Sequence, residues 1–128
     1  MKNEKDKNYG HELILDLHGV LPQKCNRLDI ELFCKEVVIA IKVQPGDLHF
    51  WDDTGVPVED CETLDHLVGC SANQFIRTSN ITIHALMLLR KVFINCFSCD
   101  SFDPEIVRKI ALKHFGGKIV TQKFINRK

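Results

Sequence analysis

Residues 11–18, HELILDLH, place Leu13, Leu15 and Leu17 on one side of an extended chain and Glu12, Asp16 and His18 on the other. A period of two is the pattern of a half-buried strand. Gly19 and Pro22 end it. From Asp29 to Lys42, Ile30, Phe33, Cys34, Val37 and Ile41 recur at spacings of three and four, which gives a helix one apolar face and leaves Gln44-Pro45-Gly46 to stop it. The stretch 47–51, DLHFW, predicts a second strand.

Residues 52–65 show no sustained period and carry Asp52, Asp53, Glu59, Asp60, Glu62 and Asp65 around Gly55 and Pro57, so they read as a long acidic loop. Two strands are expected after it. One leads up to Thr78 and continues through His84; the other runs from Lys91 to Ser98, with Phe93 and Phe97 alternating against Ile94 and Cys96. In DPEIVRKIALKHFGG, Asp103 is placed to cap a helix, Pro104 to occupy its first position, Glu105 to face its positive end and Gly116 or Gly117 to close it. A last strand is predicted over 118–125.

The order β-α-β-β-β-α-β predicts an α+β fold, a two-layer sandwich in which two helices cover one face of an antiparallel sheet. The other face must then be solvated or paired with a second chain. Residues 1–9 are almost wholly polar and read as a tail, leaving 10–128 as a single domain, which 128 residues can supply with one core.

Composition narrows the partners. Apolar residues make up 45% and charged residues 27%, and 17 basic side chains balance 17 acidic ones. A chain without net charge has no global attraction for nucleic acid or an anionic membrane, so a small-molecule substrate or a protein is the expected partner. No apolar run is long enough to span a bilayer and the start of the chain is charged, so a cytoplasmic location is expected. In that compartment the six cysteines read as reduced thiols rather than a disulfide framework.

Cys96-Phe-Ser-Cys99 is a C-x-x-C motif at the end of a strand. A redox pair favours a helix N-terminus, and residues three apart in a strand point to opposite faces, which disfavours both a disulfide and a shared metal. Zinc would also need a second ligand pair that the chain lacks, so no metal site is expected. Cys96 therefore reads as a small buried hydrophobe, whereas Cys99 sits where the strand emerges and can face a cleft. His84, enclosed between Ile83 and the apolar run that follows, is a candidate acid or base. The acidic loop is either a solvated face or a site for a cation.

Taken together, GCSANQFIRTSNITIH and INCFSCDSFDP resemble the prokaryotic S-adenosylmethionine decarboxylases, whose proenzymes cut themselves and convert an internal serine into a pyruvoyl cofactor. That family shows G-V-S-G, then E-S-H-x-x-I-H, then F-T-C-G. Here Ser71 lies eight residues before Ser79, His84 five after it, and Cys99 fifteen after His84. GHELILDLHG and FDPEIVRKIALKHFGGK resemble the first strand and second helix of the same family, which leaves the acidic loop as an insertion.

The resemblance implies the following roles. Ser79 is the pyruvoyl precursor and Thr78–Ser79 the bond that breaks, with Ser71 and His84 assisting as hydroxyl and acid or base. The pyruvoyl carbonyl then forms a Schiff base with the substrate amine and draws off electrons as carbon dioxide leaves, and Cys99 returns a proton to the α-carbon. Polyamine synthesis and a homodimer with sites near its interface are implied with it. Because strict alternation puts Ser79 and His84 on opposite faces, a bend or bulge is expected near Ser79.

Several positions depart from the family pattern. Thr78 stands for glutamate and Asn80 for histidine, and the ribose-binding glutamate falls on Leu88. The aromatic residue that stacks on adenine falls, by simple counting, on Asp65, which makes Asp65 a candidate substrate contact of a different kind. Losing a stacking ring and a hydrogen-bond acceptor, each worth about 1–3 kcal/mol, weakens nucleoside recognition. An acid there suits an amine. Three readings thus stand: an S-adenosylmethionine decarboxylase, the same chemistry on ornithine or arginine, and an inactive relative that binds a partner. A C-x-x-C redox protein is disfavoured by the strand geometry.

Overall fold

The computed structural model describes residues 8–128. Its elements run β1 (Gly10–His18), α1 (Arg27–Ala40), β2 (Pro45–Trp51), β3 (Cys70–Ile76), β4 (Ser79–Leu86), β5 (Lys91–Ser98), α2 (Pro104–Phe115) and β6 (Lys118–Arg127). The strands form one sheet in the order β2-β3-β4-β5-β1-β6, and every neighbouring pair is antiparallel. The predicted α+β sandwich is what is found. Most of the expected tail lies outside the described residues, and Tyr9, its last residue, is tied to the sheet by an N–H donated to the Arg127 carbonyl at 2.6 Å.

Alternation decides which side of the sheet is dry. Leu13, Leu15 and Leu17 of β1, Ile81, Ile83 and Ala85 of β4, and Val92, Ile94 and Cys96 of β5 are buried under the helices. Ile30, Phe33, Cys34 and Val37 of α1 and Val107, Ala111 and Phe115 of α2 complete that core. The two helices meet through Phe33 and Phe115, whose ring centres lie 5.3 Å apart. Both helix starts are capped: the Asn26 side chain accepts the Asp29 N–H, and the Asp103 side chain accepts the Glu105 N–H.

One prediction needs correction. The single strand expected to run through Thr78 to His84 is two strands, β3 and β4, joined by a tight turn at Arg77-Thr78. Their register runs without a shift from Ile76 opposite Ser79 to Cys70 opposite Ala85, so the bulge expected near Ser79 is absent. The turn was hidden because two-residue hairpin loops usually advertise themselves with Asn-Gly or Asp-Gly, which supply positive φ. Here the unusual backbone falls on the residue after the turn, Ser79, with φ 156°.

Between β2 and β3 the acidic loop contains a single 3-10 turn, Val58–Asp60, and otherwise lacks regular structure. Arg27, the first residue of α1, anchors its start. The guanidinium donates to both Asp52 oxygens at 2.8 and 2.7 Å, and the Asp53 carboxylate accepts the Glu62 N–H across the loop at 3.0 Å.

Candidate active site

β3 and β4 carry Ser71 and His84 directly opposite one another, both on the face the helices leave open. Ser71 Oγ and His84 Nδ1 lie 2.5 Å apart, within a strong hydrogen bond. Phe93 of β5 stacks beside the imidazole at 6.3 Å. Gly69, just before β3, lets the chain approach the end of β4, since a Cβ there would meet the Ala85 carbonyl oxygen at 2.0 Å. A hydroxyl bonded to an imidazole can pass a proton in either direction.

Thr78, Ser79 and Cys99 gather at the other end of the hairpin. The Thr78 carbonyl accepts the Cys99 N–H at 3.1 Å, and Ser79 stands opposite Ser98 in the sheet. Ser79 Oγ donates to the Asn80 side-chain oxygen at 3.4 Å. Its φ lies in a region that residues with a Cβ avoid, at a cost of about 1–3 kcal/mol. Strain is thus stored beside the Thr78–Ser79 peptide bond.

The predicted residues therefore form two groups rather than one. Five residues of strand separate Ser79 from His84, about 16 Å at about 3.3 Å per residue, which is beyond the reach of direct proton transfer within one chain. Cys96 and Cys99 divide as their positions predict. Cys96 is in the core with its thiol pushed up to about 12 by burial, while Cys99 is only half-buried.

A cavity of about 460 Å³ opens beside the Ser71–His84 pair, lined also by Trp51, Asp52, Asp53, Asp60 and Glu62. The hydrogen bonds from Arg27 hold the Asp52 carboxyl well below the usual carboxylate range. Asp65 belongs elsewhere: it is exposed on the turn at 65–67 and does not line this cavity. Simple counting back from Ser79 gives Asp65 for the family's aromatic position, whereas the ring that lines the cavity is Trp51, at the end of β2 just before the loop. Trp51 sits opposite Ser71 and is 84% exposed, an open ring that counting across an insertion could not find.

Asn73 joins these residues without a signal in the sequence. It lies two residues beyond Ser71 on the open face, and its Oδ1 is buried with no hydrogen-bond partner among the described residues. An orphaned buried acceptor costs about 1–3 kcal/mol. Polar strand residues carry no sequence signal that separates such an atom from one facing water.

No curated protein matches the chain by sequence. The crystal structure of the adenosylmethionine decarboxylase from Aquifex aeolicus superposes with a TM-score of 0.70 at 16% identity, over 95% of this chain and 92% of that one. This likeness is one of fold. The sequence profile described as S-adenosylmethionine decarboxylase matches residues 11–128, nearly the whole of the described domain. The chain therefore belongs to the S-adenosylmethionine decarboxylase family.

Proposed function

We propose that this chain is a self-cleaving, pyruvoyl-dependent decarboxylase, cut between Thr78 and Ser79. The observation that carries the reading is the strained Ser79 at a hairpin end, with the preceding carbonyl bonded to the Cys99 N–H. Ser79 Oγ attacks the Thr78 carbonyl carbon, a C–O bond replaces the C–N bond, and the hydroxyl proton passes to the Ser79 nitrogen. Loss of the Ser79 α-proton then breaks the Cβ–O bond and releases Thr78 as a carboxylate. Water converts the remaining dehydroalanine to a ketone with loss of ammonia.

Ser79 fits this conversion because it begins β4 at the tip of the hairpin, where a break in the chain leaves both strands paired in the sheet. The pyruvoyl group supplies an electron sink for carbon dioxide loss. Cys99, whose N–H bonds the Thr78 carbonyl and which is half-buried, would return a proton to the substrate. Two steps need an acid or base near Ser79, and the Ser71–His84 pair of the same chain is too distant. A homodimer that sets the hairpin end of one copy against the open face of the other answers this: the Ser71–His84 pair of one copy would serve the Thr78–Ser79 bond of the other. The orphaned Asn73 oxygen and the uncovered Phe75 on the same face support it.

The cavity favours a second reading, of the substrate. Asp52, Asp53, Asp60 and Glu62 line it, and the position that would bind ribose is the exposed Leu88. Four carboxylates with one bound arginine suit a substrate with a cationic end, so a basic amino acid such as ornithine or arginine competes with S-adenosylmethionine. Trp51 offers a stacking surface to adenine or to a guanidinium alike. Release of carbon dioxide from the three compounds, each labelled at the carboxyl carbon, distinguishes them. Turnover of S-adenosylmethionine alone would remove the second reading, and turnover of none would remove the decarboxylase.

A further inference from the structure

Ser98 ends β5 fully buried, and burying a hydroxyl without a partner costs about 1–3 kcal/mol. Ser98 has two partners. Its Oγ donates to Thr78 Oγ1 at 2.8 Å and accepts the Asp100 N–H at 3.1 Å. The next residue reaches the same threonine through its backbone, the Cys99 N–H donating to the Thr78 carbonyl at 3.1 Å. Thr78 is thus held at its side chain and at its carbonyl by two consecutive residues of one strand end.

The approach is specific to this junction. Gly10 of β1 packs against it so closely that a Cβ would meet the Ser98 carbonyl oxygen at 2.4 Å and Cys99 Cα at 2.8 Å. The Asp100 N–H, by occupying one lone pair of Ser98 Oγ, limits where the hydroxyl can point. The Thr78 hydroxyl supplies the acceptor at the required position.

We propose that Ser98 is a positioning residue for cleavage, using the Thr78 side chain to hold the Thr78 carbonyl against the Cys99 N–H. This rests on the self-cleavage reading. When Ser79 Oγ adds to the carbonyl carbon, negative charge grows on the Thr78 oxygen, and an N–H already aimed at it stabilises the charged state more than the neutral one. A turn residue with a free side chain would let that carbonyl rotate away. Ser98 stands opposite Ser79 in the sheet, but its hydroxyl is engaged by Thr78 and the Asp100 N–H, so its role runs through Thr78.

The test follows the full chain from cell-free synthesis, reading cleavage over time on denaturing gels. Ser98→Ala and Thr78→Val should each slow cleavage by about 10- to 100-fold, and the double variant should be no slower than either. Ser98→Thr, which keeps the hydroxyl, should restore the rate. Hydroxylamine, which cuts esters, should not rescue Ser98→Ala, because the slowed step is ester formation. Cleavage of Ser98→Ala at the wild-type rate, equal slowness of Ser98→Thr, or rescue by hydroxylamine would each overturn the proposal. If Ser98→Ala does not fold, Thr78→Val decides, and its cleavage at the wild-type rate overturns the role. A wild-type chain that never cleaves removes the reading beneath it as well, whereas wild-type cleavage with unaffected variants removes only the role of Ser98.

Discussion

Ser79 holds a φ of 156°, a conformation that glycine adopts freely and serine does not. Ser79→Gly should therefore unfold at a higher temperature than Ser79→Ala, by about 1–2 kcal/mol of stability, with both chains remaining uncut. Equal melting of the two would show that the backbone there is unstrained. The cysteines give a second test at this scale. Burial, first, pushes the Cys25 thiol up to about 11 and those of Cys34, Cys70 and Cys96 up to about 12. Thiolate is the reactive form, so iodoacetamide near neutral pH should label Cys99 first and leave these four untouched until the chain is denatured. Mass mapping of the labelled peptides checks the order. The division of Cys96 from Cys99 was legible from alternation alone, whereas the Ser98–Thr78 bond was not, because it joins residues twenty apart through a turn that carries no turn signal.

Among the elements, β1, β5 and α2 were legible because each has a strict period bounded by glycine, proline or a capping acid. The β3–β4 hairpin was not. Its loop residues, Arg77 and Thr78, have no intrinsic preference for a turn, and pairing with the neighbouring strands imposes it. The acidic loop was legible as a loop, yet its fold over the open face depends on Arg27 meeting Asp52, a contact between residues 25 apart. The Asp52 carboxyl titrates below its unfolded value near 3.8, so its stabilisation is present above that pH and is lost as pH falls further, toward the folded value. Asp52→Asn should lower Tm at pH 7 by about 2–6 °C, and should lose less Tm than wild type between about pH 4 and 2. An unchanged slope in that window would remove Asp52 as the anchor.

At the scale of the whole molecule, the sheet presents Ser71, Asn73, His84 and Phe93 on a face that neither α1 nor α2 covers, and the two groups of candidate residues lie about 16 Å apart in one chain. A dimer that crosses them makes a specific prediction. Co-expressed Ser79→Ala and His84→Ala chains should recover cleavage of the His84→Ala chain, because one of the two sites in the mixed dimer is intact. Each variant alone should stay uncut. Recovery absent in mixed dimers that are demonstrably formed would place both groups in the same chain's site. The sandwich was legible in the order of elements, and the open face followed from having two helices for one sheet. What covers that face was not, since a polar strand face reads alike against water and against a second copy.

The most direct test is the covalent state of the purified chain, by denaturing gel and intact mass. Cleavage at Thr78–Ser79 predicts fragments of 78 and 50 residues from the 128-residue chain. The smaller should resist Edman sequencing and be lighter, by one ammonia, than a fragment beginning with serine. A chain that remains whole at 14.7 kDa under all conditions, or a smaller fragment with a free serine amine, would contradict it.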